Sequence, residues 1–426
     1  MASTQRYVRR IIDDELDDIM TGLPAIALVG AKGVGKTATA SQRANRTVRL
    51  DVDAERAAFA ASGFDLEPQG TLLIDEWQRY PPCWDQVRRA VDAGAPAGSF
   101  ILAGSAAPKS ATIHSGAGRI VPRRLRPLSV AERGIGQASV SLSAFLSGSR
   151  AAVDGETRVG LADYVDEIFA SGFPGLRSLS ERFRAEAVDG YIANTVEREF
   201  AEQGIRVRRP ASLMAWLRAF AAATATTTSY SSILDAATAG VSEKPGRDTT
   251  LVYRDTLARG YVLDSLEAWV PTANALKRLT VSPKHFLADP ALAARLLGLG
   301  REAVLSGTDH VGSPLVPGSM LGPLFEHLAV QSIVVYAEAC QARVGHLRQQ
   351  DGRHEIDVIV ERADRGVVAI EVKLATVPDP QDAKHLHWLG EQIGPRLLDK
   401  VIVTTGPRAY RSSDGVAVVP LALLGP

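Results

Sequence analysis

The chain has 426 residues, of which 46% are hydrophobic and 23% are charged, a composition typical of a globular protein with two or three domains. Its 48 basic residues equal its 48 acidic residues, so nucleic-acid binding would have to depend on local patches. Arg9 and Arg10 are followed by Asp13-Asp14-Glu15, which excludes the apolar core of a secretory signal, and no apolar run reaches the roughly 18 residues of a membrane span. Cys83 and Cys340 are far apart and fit no metal spacing, which indicates a reducing compartment. We therefore predict a cytoplasmic protein with no membrane partner.

A phosphate-binding loop follows the first apolar run of the chain. Ala25–Val29 reads as a buried strand, and Gly30–Thr37 spells GAKGVGKT, a complete GxxxxGK[ST] pattern. Such glycines let backbone N–H groups close around phosphate oxygens, while Lys36 would reach the β- and γ-phosphates and Thr37 would bind Mg²⁺. The sequence therefore predicts ATP and Mg²⁺ as cofactors. The residues predicted to contact the nucleotide are Gly30, Ala31, Lys32, Gly33, Val34, Gly35, Lys36, Thr37 and Ala38.

Two further strand-like runs end in polar residues. The run Leu72–Ile74 ends in Asp75, predicted to coordinate Mg²⁺, and Glu76, predicted to polarise the attacking water. The alternative is a pair of solvated acids at a strand end. The run Phe100–Ala103 leads to Ser105, which would orient that water or sense the γ-phosphate, or would be an ordinary turn serine. With strands also expected at Val48–Asp51, these runs are typical of a parallel sheet flanked by helices.

An arginine cluster follows at Arg119, Arg123, Arg124 and Arg126. An arginine supplied by a neighbouring subunit would stabilise charge that develops on the γ-phosphate, and Arg119, Arg123 and Arg124 are the candidates for this finger. Such use would require a homo-oligomer. The alternative is a solvated or phosphate-binding basic face.

The sequence pattern of the middle region differs from that of the N-terminal region. Glycines and serines at Ser147–Gly155 predict a domain boundary. Beyond it, Ser212–Ala223, Ser231–Ala239 and Thr249–Ala258 read as three short helices, and Gly260–Leu263 reads as a strand-like return. Three helices and a β-wing are typical of a winged helix, although a plain helical bundle fits equally well.

A cluster of acids and a lysine marks the C-terminal region. The runs Ile356–Val360 and Val367–Val372 flank a turn centred on residue 364, so a simple hairpin places Asp357 opposite Glu371. Lys373 shares a strand face with Glu371. Two acids and a lysine on one sheet face can hold Mg²⁺ or Mn²⁺ and activate a water for phosphodiester attack.

The order of these motifs resembles a large group of prokaryotic ATP-binding proteins with an AAA-type ATPase module. The resemblance depends on Gly30–Thr37, Leu72–Gln78, Phe100–Ser105 and the segment Pro127–Glu132, and this chain departs from it at Ala31-Lys32-Gly33. The C-terminal pattern resembles a PD-(D/E)XK nuclease, with Asp357 and Glu371-Val372-Lys373 as its motif. Glu326 on the preceding helix, predicted at Leu324–Ala339, matches the helix acid of that fold.

The resemblance implies an α/β chain of three parts. Residues 1–150 would form the AAA-type ATPase domain, 151–300 a helical, winged-helix-like region, and 301–426 a restriction-nuclease-like α/β domain. The predicted metal ligands of the last part are Glu326, Asp357 and Glu371. The predicted function is an Mg²⁺-dependent ATPase that couples its nucleotide state to a domain that processes DNA or RNA. The alternative is a regulatory switch or an assembly protein whose nuclease-like domain is inactive.

Overall fold

The computed structural model describes residues 7–62, 70–105, 118–202, 205, 207, 209–239, 246–271, 281–306, 320–349 and 352–426. The chain divides into two compact units. The first comprises Met1–Arg126 with Leu257–Val262, and the second comprises Pro127–Thr256 with Leu263–Pro426. The predicted boundary at Ser147–Gly155 lies inside the second unit, and the domain bounds 1–150, 151–300 and 301–426 stay a prediction.

The first unit is an α/β layer structure whose strands are separated by helices. Its elements are α1 (Ile12–Ile19), β1 (Ala25–Val29), α2 (Lys36–Ser41), β2 (Arg46–Arg49), α3 (Asp53–Ser62), β3 (Leu72–Asp75), α4 (Pro82–Asp92), β4 (Phe100–Gly104) and β5 (Ile120–Arg124). A single 3₁₀ turn, Trp77–Arg79, follows β3.

The five strands form one parallel sheet in the order β2-β3-β4-β1-β5. Every residue of β1 and β4 is buried, which explains their unbroken apolar sequence. This sheet confirms the predicted parallel architecture of the N-terminal region. The fifth strand was not predicted, because the charged side chains of Arg123 and Arg124 conceal a strand at the edge of the sheet.

The second unit begins with helices and ends with a sheet. Its elements begin with α5 (Val130–Arg133), β6 (Val140–Ser141), α6 (Leu142–Leu146), β7 (Gly155–Glu156), α7 (Leu161–Ala170), α8 (Pro174–Arg177), α9 (Glu181–Asn194), α10 (Phe200–Glu202), α11 (Pro210–Ala222) and α12 (Tyr230–Ala237). They continue with α13 (Arg247–Arg259, which ends in the first unit), α14 (Pro290–Leu296), α15 (Arg301–Ser306), α16 (Leu321–Ala339), β8 (Arg343–Arg348), β9 (Glu355–Glu361), β10 (Val367–Val372), α17 (Lys384–Ile393), β11 (Leu397–Thr404), β12 (Arg408–Arg411), β13 (Ala417–Pro420) and β14 (Leu424–Gly425).

Seven strands of this unit form a mixed sheet in the order β7-β12-β13-β11-β10-β9-β8. Strands β9 and β10 are antiparallel, with Val358 opposite Ile370 and Glu361 opposite Val367. Extended by one pair, this register places Asp357 opposite Glu371, as the turn symmetry predicts. Strand β8 was not predicted, whereas β10 has the predicted bounds.

Helices α11, α12 and α13 cover the three predicted short helices of the middle region. They are followed by two isolated antiparallel bridges, Leu263 with Leu287 and Leu266 with Lys284. The winged-helix assignment stays a prediction. The second bridge fixes the backbone of Lys284, whose N–H donates to the Leu266 carbonyl at 2.9 Å and whose carbonyl accepts from the Leu266 N–H at 2.8 Å.

None of the helices in the described ranges has the length and hydrophobicity that crossing a membrane requires.

Candidate functional site

The predicted phosphate loop connects buried strand β1 to helix α2 in the first unit. Gly30 has a φ of 150°, and a Cβ there would overlap the backbone oxygen of Leu125. Gly35, directly before α2, has a φ of 105°, a left-handed conformation that a side chain disfavours. Glycine at these two positions is therefore required by the backbone path of the loop.

The two side chains at the start of α2 that are predicted to bind phosphate and Mg²⁺ both make hydrogen bonds within the first unit. Lys36 is buried, and its Nζ donates to the carbonyl oxygens of Gly30 at 2.9 Å and Ala31 at 2.8 Å. The Thr37 hydroxyl lies 3.0 Å from both Oδ1 and Oδ2 of Asp75, which ends β3. The structure thus brings together the lysine, hydroxyl and carboxylate that the sequence assigned to phosphate and Mg²⁺.

Glu76 follows in a strained backbone conformation, with a φ of 52° that is uncommon for a residue with a side chain. Its carboxylate accepts a hydrogen bond from Gln78 Nε2, and the same nitrogen lies 3.4 Å from Ser105 Oγ. Gln78 therefore links the predicted water-polarising acid to the predicted sensor serine. Sequence reasoning gave Gln78 no role in the site, although Gln78 ends the segment Leu72–Gln78 on which the family resemblance partly depends.

The pKa values of the two carboxylates at this site, Asp75 and Glu76, are raised above their ordinary values. Burial raises the pKa of Asp75, although the Thr37 hydrogen bond opposes the shift. Burial also raises the pKa of Glu76, and the positive charge of Lys36 opposes it. A cation at this site would offset the cost of burying both charges.

The arginine-finger candidates make contacts within their own unit. Arg119 Nε donates to Asp92 Oδ1 at 2.8 Å, Arg123 pairs with Glu15, and the Arg124 guanidinium lies 5.0 Å from the ring centre of Tyr261. A finger role for any of them stays a prediction.

The C-terminal cluster forms in the second unit. Glu371 and Lys373 are paired at 3.0 Å, and Asp357 Oδ2 accepts the backbone N–H of Val372 at 2.9 Å. Glu326 lies on α16. Asp357 and Glu371 are 9% and 3% exposed, so these two carboxylates are buried, whereas the side chain of Lys373 is partly exposed.

Lys284 belongs to the same cluster, and sequence reasoning missed it. Its Nζ lies 2.6 Å from Glu326 Oε1 and 2.8 Å from Asp357 Oδ1, and the residue is only 1% exposed. No local motif marks it, because its two partners are 42 and 73 residues away in the sequence. Only the tertiary fold brings this lysine to the acids.

The protonation of the cluster follows from burial and from these pairs. Burial alone would lower the pKa of Lys284, but Asp357 and Glu326 outweigh it and raise the pKa. Burial would raise the pKa of Asp357, but Lys284 lowers it to about 2. Burial, helped by Asp357, raises the pKa of Glu326 to about 8 and that of Glu371 well above its usual value. Lys284 and Asp357 thus form the charged pair of the cluster.

The two predicted metal sites differ in how well they suit a metal. Across the described part of the chain, no three His, Cys, Asp or Glu side chains are grouped to hold a metal ion. The first unit does not need three, since Thr37 and Asp75 can share an Mg²⁺ with nucleotide phosphates and water. In the second unit the ammonium of Lys284 lies between Glu326 and Asp357 and opposes a metal ion shared by those two acids, whereas Glu371 Oε1 is buried with no hydrogen-bond partner among the described residues. The metal-ligand role of Glu326, Asp357 and Glu371 stays a prediction.

Two helix histidines that invite a metal hypothesis have separate partners. His385 Nδ1 lies 3.1 Å from His354 Nδ1, whereas His387 Nε2 lies 2.7 Å from Asp414. Residues two apart on a helix diverge, and these two histidines accordingly have different partners.

Comparison with known families divides the chain into three ranges. Residues 23–133 match an AAA domain, residues 161–303 match a domain of unknown function (DUF8612), and residues 321–424 match another domain of unknown function (DUF4143). The first range contains the loop, Asp75, Glu76 and Ser105, which supports an AAA-type, ATP-binding region. The nuclease-like fold predicted for the C-terminal region is not supported by these matches.

Similar whole proteins extend over most of the chain. "Uncharacterized protein Rv2008c" of Mycobacterium tuberculosis and "Uncharacterized protein Mb2031c" of Mycobacterium bovis are each 27% identical over 409 residues, which is 93% of this chain and 80% of theirs. Among solved structures, the Walker-type ATPase PABY2304 of Pyrococcus abyssi is 15% identical with a TM-score of 0.41, covering 69% of this chain and 99% of its own. That structural likeness is too slight to support a functional argument.

Proposed function

We propose that the first unit is an Mg²⁺-dependent ATP hydrolase. The observation that carries the proposal is the convergence of Lys36, Thr37 and Asp75 at the end of a buried parallel sheet, beside a loop that only glycine can form at Gly30. The match of residues 23–133 to an AAA domain supports it.

Each side chain has a role in this proposal. Backbone N–H groups of the loop and Lys36 bind the phosphates, and Thr37 and Asp75 hold Mg²⁺. When bound, the ion supplies positive charge that offsets the negative charge of the phosphates. Glu76 orients and polarises the attacking water, while Gln78 and Ser105 fix the position of its carboxylate.

Two substitutions test the proposal. In Lys36→Ala, ATP binding measured by calorimetry should be lost, because the buried ammonium no longer offsets the phosphate charge. In Glu76→Gln, binding should remain and the turnover number should fall by about 100-fold or more, because an amide cannot accept the proton of the water. Undiminished turnover by Glu76→Gln would reject its assignment as the base.

The finger proposal adds a homo-oligomer. Arg119, our first candidate, would have to leave Asp92 and reach the γ-phosphate of a neighbouring subunit. Specific ATPase activity should then rise with protein concentration in the wild type, and Arg119→Ala should abolish that rise. If Arg119→Ala has the same specific activity as the wild type at every protein concentration, Arg119 is rejected as the finger.

The second unit would respond to the nucleotide state of the first. Its C-terminal region would either process DNA or RNA or serve as a regulatory or assembly module without cleavage, as the sequence left open. Nucleic-acid stimulation of ATP turnover would support the first function. Cleavage of DNA or RNA that disappears in Asp357→Ala and Lys373→Ala would establish it.

A further inference from the structure

The side chain of Lys284 enters the acidic cluster of the second unit from a fixed backbone. The two hydrogen bonds between Lys284 and Leu266 hold its main chain, and its Nζ then reaches Glu326 and Asp357, with Glu355 Oε1 at 3.6 Å. An ammonium has three donors and no acceptor, and here two of the donors are hydrogen-bonded to Glu326 and Asp357 while Glu355 lies at ion-pair distance. The geometry is that of a cation enclosed by acids.

The same acids are occupied in a way that opposes a metal ion. Asp357 Oδ1 accepts from Lys284 and Oδ2 accepts from the backbone of Val372, so both oxygens are already hydrogen-bonded. Glu371 Oε2 is paired with the second lysine, Lys373, while its buried Oε1 has no hydrogen-bond partner among the described residues. The opposition to a metal ion therefore comes from the ammonium between Glu326 and Asp357. A divalent ion placed between Glu326 and Asp357 would have to displace an ammonium that is 1% exposed and would then be buried without a partner.

We propose that Lys284 is a built-in cation that takes the place of a divalent metal in the C-terminal cluster. The cluster is then an ion network that holds β9, β10 and α16 together, and the region acts by binding rather than by metal-dependent phosphodiester cleavage. This inference does not depend on ATP hydrolysis by the first unit, so either can fail alone.

One other role for Lys284 would lead to a different result. A lysine beside a metal can assist catalysis, in which case the wild-type protein would bind the metal and cleave nucleic acid. The distance of 2.8 Å to Asp357 argues for direct replacement, since the predicted metal ligand is itself the partner of the ammonium.

The test measures Mn²⁺ binding by electron paramagnetic resonance on full-length protein without nucleotide. Three proteins are compared: wild type, Asp357→Asn and Lys284→Met. Any Mn²⁺ bound in the first unit is common to all three, so the difference from Asp357→Asn reports only the C-terminal cluster. We expect the wild type and Asp357→Asn to bind the same number of Mn²⁺ ions up to millimolar Mn²⁺. Lys284→Met removes the charge and keeps the apolar stem. It should bind one more Mn²⁺ ion than the wild type, at least tenfold more tightly than the wild-type cluster does.

Thermal unfolding of the same proteins gives an independent readout. Mn²⁺ should raise the melting temperature of Lys284→Met, because the ion replaces the missing charge. In the wild type, Mn²⁺ should raise the melting temperature no more than it does in Asp357→Asn. Lys284→Arg, which keeps the charge, should not gain a metal site.

Three results would overturn the proposal. The first is Mn²⁺ binding by the wild type that Asp357→Asn removes. The second is Mn²⁺-dependent cleavage of labelled DNA or RNA by the wild type that is lost in Asp357→Asn. The third is a folded Lys284→Met that gains no site. If Lys284→Met does not fold in any buffer, the wild-type binding and cleavage measurements decide the question by themselves.

Discussion

The Thr37 hydroxyl lies 3.0 Å from both carboxylate oxygens of Asp75, although the two residues are 38 positions apart in the sequence. Thr37 lies in the first turn of α2 and Asp75 ends β3, and the parallel sheet places both elements at the same edge. A hydroxyl and a carboxylate at this separation are suited to share one Mg²⁺ with bound phosphates.

The first prediction concerns this pair. Thr37→Ala and Asp75→Asn should each lower the ATP turnover number by about 100-fold, because each removes a ligand of the same ion. The double variant should lose little more than either single variant, since residues that act as a unit are not additive. Steady-state kinetics at varied Mg²⁺ concentration measure this. Thr21→Ala, which removes an exposed hydroxyl that donates to the Asp18 backbone carbonyl, is the control and should retain activity. Fully additive losses would show that the two residues act on different steps.

The second prediction concerns the packing that holds Gln78 beside Glu76. A Cβ at Gly104 would overlap the side chains of Gln78 and Trp77, so Gly104→Ala should displace Gln78 and lower ATP turnover by about tenfold or more. The affinity for nucleotide should change little, because the phosphate loop is not touched. Gly22→Ala, where a Cβ meets no atom within 4 Å, is the matched control. Equal turnover in both variants would show that the position of Gln78 is unimportant.

The third prediction concerns a buried arginine in the second unit. Arg133 has no exposed side-chain surface and donates to Leu128 O at 2.8 Å and Glu167 O at 2.7 Å, with Asp289 at 3.8 Å. Arg133→Met should lower the free energy of unfolding by roughly 3–5 kcal/mol, because it removes the donor to two carbonyl oxygens and the positive charge beside the buried Asp289. Urea unfolding followed by tryptophan fluorescence measures the loss.

The control for that variant is Arg408→Met. Arg408 pairs with Glu156 at 2.8 Å, but both side chains are largely exposed, so the change should be small. If the two variants lose similar stability, the Arg133 network is not a major source of stability.

The fourth prediction concerns acid stability. Burial, with the positive charge of Lys284, lowers the pKa of His346 to about 4, and its Nε2 lies 3.1 Å from the Ser282 carbonyl. A histidine whose folded pKa lies below its unfolded value of about 6.5 contributes stability above pH 6.5 and loses it as the pH falls toward 4. The contribution amounts to roughly 3 kcal/mol at most.

His346→Asn replaces the imidazole with an amide, which can donate a hydrogen bond but does not titrate. The variant should therefore lose less stability than the wild type as the pH falls from 6.5 to 4. Melting temperatures across this range measure the effect for both proteins. His387→Asn, at a partly exposed site that pairs with Asp414, serves as the matched control and should leave the slope unchanged. An unchanged slope in His346→Asn would show that His346 does not contribute to acid sensitivity.

Features that depend on short-range order could be predicted from local sequence patterns. A strand, a glycine turn and a helix start are neighbours along the chain, so the motif at Gly30–Thr37 specified the loop. The symmetry of a turn specified which hairpin residues face each other, and β9 and β10 have that register. An apolar run that ends in Asp75 specified a carboxylate at the edge of the sheet, because parallel strands end on the same side.

Only the tertiary structure decided which distant residues complete the two sites. Gln78 joins Glu76 to Ser105 because β3 and β4 are neighbours in the sheet, which no local pattern reveals. Lys284 reaches Glu326 and Asp357 through one bridge to Leu266, and charged side chains concealed the edge strand β5. Hydrophobic periodicity shows which face of an element is buried but not which element covers that face. The long-range contact of Lys284 with Glu326 and Asp357 is therefore invisible in the sequence, although it decides whether these acids enclose an ammonium or a metal ion.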